Sequence, residues 1–168
     1  MNSPTVADPI AMDCVLRTLH TTAPDLWDNH SRTGGRLPRL HLLLFFAQGH
    51  NLARFDRPLF TEPIVRTEHD VHVDLPAEFA GAEPSPGSPH LNLIAAVVAR
   101  YGRVVFPDLK ALVVGSQPWQ STAVGEPIRV DALRAWFTRD AETNDPDDER
   151  PRRAELARWA AQRKENVR

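Results

Sequence analysis

Between Leu37 and Phe55 the chain carries apolar side chains almost all the way round a helical wheel. Leu40, Leu43, Leu44, Ala47 and Leu52 form one stripe, and Leu42, Phe45 and Phe46 widen it into a near-complete girdle. A helix that is hydrophobic on every side is buried on every side, so the rest of the chain has to supply its cover. The chain has 168 residues, enough for one domain with one sizeable core. The longest apolar run, Leu42 to Ala47, is far short of the roughly 20 residues that span a bilayer. The girdle therefore predicts a central core helix and excludes a membrane segment, and Arg57-Pro58 ends it.

The cover can be read on either side. Asp8-Pro9 offers a cap and a first-turn proline for a helix over 9–20, with Ile10, Cys14, Val15 and Leu19 at helical spacing. A loop follows from Thr21 to Arg36, and Trp27 is placed to anchor it. From Glu68 to Leu75 the rhythm changes to period two: His69, Val71, Val73 and Leu75 alternate with Glu68, Asp70, His72 and Asp74. That pattern predicts a half-solvated strand in a small hairpin with Phe60 to Arg66. After a Pro/Gly/Ser-rich loop over 77–89, helical spacing resumes at His90, with Leu91, Ile94, Ala95 and Val98 inward and Gly102 as the stop. Pro107-Asp108 opens a short helix with Leu109, Leu112 and Val113 inward. Gly115 to Gly125 reads as a loop holding Pro118-Trp119. Asp131 is expected to cap a last core helix through Leu133, Trp136 and Phe137.

Fifteen prolines keep these elements short, while 42% hydrophobic residues argue against disorder. The net charge of −2 hides an uneven distribution. Residues 1–138 hold 12 basic and 14 acidic residues, and the last thirty hold 8 of each in two opposed blocks. Asp140 to Glu149 carries six acids and no basic residue and reads as a solvated linker. Arg150 to Arg168, with Leu156, Trp159 and Ala160 at helical spacing, reads as an amphipathic helix. It is open to three roles: a solvated helix, a weak nucleic-acid contact, or a segment that orders on a partner. The near-neutral balance argues against a dedicated nucleic-acid-binding domain. The eighteen arginines against two lysines lie evenly along the chain and fit codon bias better than function.

The single cysteine, Cys14, cannot form an internal disulfide and sits on the apolar stripe of the first helix, where it reads as a small hydrophobe. A reducing compartment fits, and without a basic n-region before an apolar stretch no secretory signal is expected. The localisation expected is cytoplasmic. No G-x-S-x-G elbow, glycine-rich phosphate loop or H-E-x-x-H occurs, so no nucleophilic or zincin-type enzyme is indicated and no cofactor is expected. Asp70, His72 and Asp74 share one strand face, which is either a fragment of a metal site or simply the wet side of a hairpin. His41 and His50 flank the girdle helix as surface or core-edge groups. Trp119, in Gln117-Pro118-Trp119-Gln120, is either an exposed recognition residue or a lid on the core.

Two blocks of sequence carry a resemblance. Leu40-His41-Leu42-Leu43-Leu44-Phe45-Phe46-Ala47-Gln48-Gly49-His50-Asn51-Leu52-Ala53, then Arg57-Pro58-Leu59-Phe60-Thr61-Glu62-Pro63-Ile64, resembles the SocA-like Panacea domain, with its leucine-rich helix ending in aromatic-Ala-Gln-Gly and its Pro-Leu-Phe turn. Val97-Val98-Ala99-Arg100-Tyr101-Gly102, Asp108-Leu109-Lys110-Ala111-Leu112, Pro118-Trp119 and Ile128 follow the same family in order and spacing. The likeness covers roughly residues 8–138. It departs where Val65-Arg66 and His69-Asp70-Val71 replace the family's Ala-Trp and Gly-Pro-Val, and where the histidine before Pro-Trp is missing.

The resemblance implies a mainly α domain that works by binding proteins, namely an antitoxin that neutralises a toxin encoded nearby by direct complex formation. The same family offers an alternative, a proteolytic adaptor delivering its toxin to a cytoplasmic protease. A small metal-dependent enzyme using Asp70, His72 and Asp74 is the alternative from another class. The expected architecture is a compact helical domain over 1–138, around the central helix and with a small β-hairpin, followed by a charged linker and C-terminal helix over 139–168. The candidate partner contacts are Arg57, Phe60, Trp119, Gln120, Leu156 and Trp159.

Overall fold

The computed structural model describes residues 9–25, 38–76 and 87–143. Among these residues the elements are, in order, α1 (Met12–Thr22), α2 (Pro38–Phe55), β1 (Ile64–Arg66), β2 (Val71–Val73), α3 (Pro89–Tyr101), α4 (Phe106–Val114), α5 (Gln117–Gln120) and α6 (Val130–Thr143). The fold is mainly helical, with a small two-stranded antiparallel hairpin. No helix among the described residues is long and apolar enough to cross a membrane.

The girdle does what an all-round apolar helix must. Leu42, Leu43, Leu44, Phe45 and Ala47 of α2 are fully buried, and α3, α4, α6 and β2 all pack against this helix. Two chain crossings make the enclosure tight. Phe46 stacks on Tyr101 at the end of α3, with ring centroids 4.0 Å apart, and Phe137 of α6 meets Phe45 and Phe46 edge-on at 5.8 and 6.1 Å. Where α6 crosses, α2 presents Gly49. A Cβ there would lie 2.1 Å from the Phe137 ring, so only glycine allows the approach. At the start of α2, Arg39 donates to the carbonyls of Gly102 and Val104 and fixes the turn between α3 and α4.

The hairpin pairs Ile64 with Val73, Val65 with His72 and Arg66 with Val71. It is shorter than the period-two pattern implied, because Thr67 and Asp70 close the turn: the Thr67 amide donates to the Asp70 carbonyl at 3.0 Å. The alternation holds within β2, with Val71 and Val73 buried and His72 exposed, whereas His69, expected on the inward side, is exposed. On the other side of β1 a further segment, 125–128, is bonded to the two-stranded sheet. The amide of Arg66 donates to the Glu126 carbonyl (3.0 Å), the Gly125 amide to the Arg66 carbonyl (2.8 Å) and the Ile128 amide to the Ile64 carbonyl (2.8 Å), with Pro127 bridged to Val65. Gly125 makes the turn into this segment with φ at +85°, a left-handed conformation that favours glycine.

Several expectations are corrected. The first helix begins at Met12 and not at Pro9, because the Ile10 amide is drawn to the Leu59 carbonyl (2.8 Å), which holds the preceding chain extended. Cys14 is only partly buried, at the edge of the α1 stripe. The inward face of α3 is Leu93, Ile94, Val97 and Tyr101, while Ala95 is exposed. The Gly115–Gly125 loop contains the short helix α5. Asp131 lies inside the first turn of α6, where its carboxylate accepts from the Ala132 amide and from Arg129. Finally, α6 runs on to Thr143, past the composition change at 138/139, because Asp140, Ala141 and Glu142 do not break a helix. The remaining linker and the amphipathic segment over 150–168 lie outside the described residues.

Candidate functional site

The two resembling blocks meet at the Phe46–Tyr101 stack, and polar joints set into apolar surroundings fasten the segments around it. Gln48, only 3% exposed on α2, is the first joint. Its Oε1 accepts the Leu59 amide at 2.7 Å and the Phe60 amide at 3.3 Å, while its Nε2 donates to the Phe60 carbonyl at 3.0 Å. One side-chain amide thus satisfies three backbone groups of the Pro-Leu-Phe turn, where water cannot reach. A buried peptide group left unpaired costs about 1–3 kcal/mol, so an apolar residue of the same size could not replace it. Asn51, one turn further on, donates to the Arg57 carbonyl at 2.7 Å, and Asp56 turns the chain with φ at +58°. Aromatic-Ala-Gln-Gly followed by Pro-Leu-Phe is therefore one device. The glutamine holds the returning turn, the glycine admits α6, and Leu59 and Phe60 fill the core.

The second joint is centred on Arg66. Its guanidinium lies over the Trp119 ring, 3.8 Å from the centroid, and its Nη1 donates to the carbonyls of Trp119 (3.1 Å), Gln120 (3.4 Å) and Thr122. The Trp119 indole N–H in turn donates to the Asp70 carbonyl at 2.8 Å. The planar fork of arginine suits this double task of stacking and reaching several carbonyls, which a lysine ammonium cannot match. A helix leaves its last carbonyls short of donors, and Arg66 adds side-chain donors to those at the end of α5. The hairpin, α5 and the 125–128 segment are fastened together at this point.

A third joint ties β2 to α2. The His41 Nδ1 accepts the Val73 amide at 3.1 Å, and its ring stacks on that of His72, centroids 4.9 Å apart. Burial pushes the His41 imidazole below the usual histidine range; the facing His72 adds to the shift and Asp70 opposes it. His50, at the other end of the helix, has its Nε2 2.8 Å from the Tyr101 hydroxyl. His90 at the start of α3 is also lowered by burial, and the Cys14 thiol is raised by burial and by the neighbouring Asp13.

The sequence-derived candidates fall into distinct positions. Phe60 is fully buried and Trp119 is 7% exposed with its N–H engaged, so both are core residues and Trp119 is the lid. Arg57 and Gln120 are exposed. Leu156 and Trp159 lie outside the described residues. Of the three metal candidates, Asp70 turns its carboxylate to the Thr67 hydroxyl, and His72 pairs with Asp74 at 3.1 Å on the exposed face. Among the described residues, no group of three or more histidine, cysteine, aspartate or glutamate side chains is placed to hold a metal ion. The three-residue set of the metal alternative is not assembled.

A surface groove of about 430 Å³ runs between α5 and α6, walled by Gln117, Thr122, Arg129, Asp131 and Arg139 over a floor of Ala132 and Ala135. Arg129 and Asp131 are paired with each other across its rim, and the Arg129 hydrogen bond holds the Asp131 carboxyl below the usual range. Val124 and Val130, at 58% and 48% exposure, are among the few large apolar side chains left in solvent. Sequence reasoning assigned no role to Arg66 or to Gln48 as an individual residue. The chain matches no protein-family model, and no curated protein or solved structure matches it.

Proposed function

We propose that this chain is a protein-binding domain of the antitoxin type, which inhibits a genetically linked toxin by covering its active surface in a direct complex. One observation carries the reading: the first resembling block closes on itself through a buried glutamine and meets the second at a ring stack. Gln48 satisfies the Leu59-Phe60 turn within the first block, and Phe46 of that block stacks on Tyr101 of the second; Trp119 of the second block is held by Arg66 and Asp70, which lie where the likeness departs. The glutamine joint inside the first block and the Phe46–Tyr101 stack between the blocks support the resemblance, because both use residues that carry it.

The same geometry separates scaffold from contact. Phe60 and Trp119 are committed to the core, so the partner-facing candidates are the exposed Arg57 and Gln120, with the exposed valines adding apolar area. Binding energy in protein interfaces concentrates in a few residues, so charge reversal at a true contact has a large effect on affinity. The test is co-expression with the product of the adjacent gene. The expected result is a complex that co-purifies and restores growth, weakened by Arg57→Glu in a chain that still folds. Neither complex nor rescue with the intact chain would overturn the proposal.

A further inference from the structure

The outer strand of the hairpin is held to the central helix by an acceptor that a proton can remove. His41 receives the Val73 amide on Nδ1, so in this arrangement its proton sits on Nε2 and the ring is neutral. The imidazolium form carries a proton on both nitrogens and cannot accept that bond. Its neighbour at 4.9 Å is a second imidazole, His72, which is exposed and has its Nε2 3.1 Å from the Asp74 carboxylate. Among the described residues, the groups that bear on the charge of His41 are His72 on β2 and Asp70 at the hairpin turn.

We propose that His41 is a proton-sensitive latch between α2 and β2. When neutral it caps the Val73 amide and stacks flat on His72. When protonated it faces a like charge and an N–H with no acceptor, and the outer strand is released from the helix.

Three further contacts set what the release moves. Val71 and Val73, 3% and 0% exposed, pack inward from β2, so lifting the strand uncovers apolar side chains. The Asp70 carbonyl, one residue before β2, accepts the Trp119 indole, so the disturbance reaches the lid of the core. β1 stays anchored on its other side through Glu126, Gly125 and Ile128, which confines the opening to β2. Burial holds His41 below its unfolded value near 6.5, so the latch is closed at neutral pH and opens on acidification. Asp70, which opposes the shift, keeps the opening from moving to still lower pH.

The experiment is an NMR titration of the intact chain, following the imidazole nitrogens of His41 and the exchange of the Val73 amide, corrected for intrinsic exchange. At pH 8 His41 should show the Nε2–H tautomer. Between pH 7 and 5 the Val73 amide should lose protection by about tenfold per pH unit once His41 titrates, while the Ile128 amide stays protected. In His41→Gln, whose side-chain oxygen can accept the amide without titrating, the pH dependence should vanish. In His72→Gln the transition should move to higher pH, because the like charge is gone. An Nδ1–H tautomer at pH 8, Val73 protection that does not change with pH, or an unchanged transition in His72→Gln would each overturn the proposal.

Discussion

The middle of α2 and the hairpin layer are held by opposite means. Around α2 the enclosure is apolar: Leu42 to Ala47 are buried against α3, α4 and α6, and the polar insertions Gln48 and Asn51 reach backbone groups of the returning turn. The hairpin layer has little apolar area of its own. It has two strands of three residues each, and it depends on Arg66, the Trp119 indole, His41 and the 125–128 segment to close it. A two-stranded hairpin alone is marginal in water, so a layer this small survives only by being fastened to something larger. One region is stable through area and the other through directed bonds. A functional surface built on the second can therefore be tuned by single residues.

Substitutions at the joints should break this contrast in a definite order. Gly49→Ala forces a methyl into the Phe137 ring, and the overpacking should cost about 3 kcal/mol or more, read as a lower denaturant midpoint. Gln48→Leu keeps the volume but strands the Leu59 amide and the Phe60 carbonyl. A loss of about 2–3 kcal/mol is expected, and only a loss below about 0.5 kcal/mol would mean that the turn finds other partners. Arg66→Lys removes the stack and most of the carbonyl fan, and should cost about 1–2 kcal/mol together with a change in the Trp119 indole N–H resonance.

The smallest effect is the pH dependence. The folded-state values of His41 and His90 are both depressed, so the unfolded chain binds more protons below about pH 6.5. The stability these groups contribute is complete above that pH and is lost as pH falls through the window beneath it. Denaturant midpoints should be flat from pH 7 to 8 and should decline towards pH 5.5, less steeply in His41→Gln.

The contrast also explains which parts were legible in the sequence. The girdle helix was, to within a residue at each end, because an all-round apolar pattern has one physical solution. The hairpin was legible from period two at Val71, His72 and Val73. The face of α3 was not: Leu91, Leu93, Ile94, Ala95, Val97 and Val98 offer apolar residues in nearly every direction, and Tyr101 docking on Phe46 selects the 93–97–101 row. Arg66 was invisible because a charge in a strand reads as its wet side. Its partners, the carbonyls of residues 119–122, exist only once α5 has formed. Gln48 could have been found from its place in the middle of an otherwise apolar helix, where a polar side chain needs a stated partner.

Directed bonds make the hairpin and the helical core one cooperative unit. Native-state hydrogen exchange at pH 8, with the His41 latch closed, measures whether they unfold together. The amides of Arg66, Gly125 and Ile128 should exchange with the same free energy and the same denaturant dependence as those of Phe45 and Leu44 in α2. Exchange of the hairpin-layer amides through a separate opening, at a free energy well below that of α2, would contradict it.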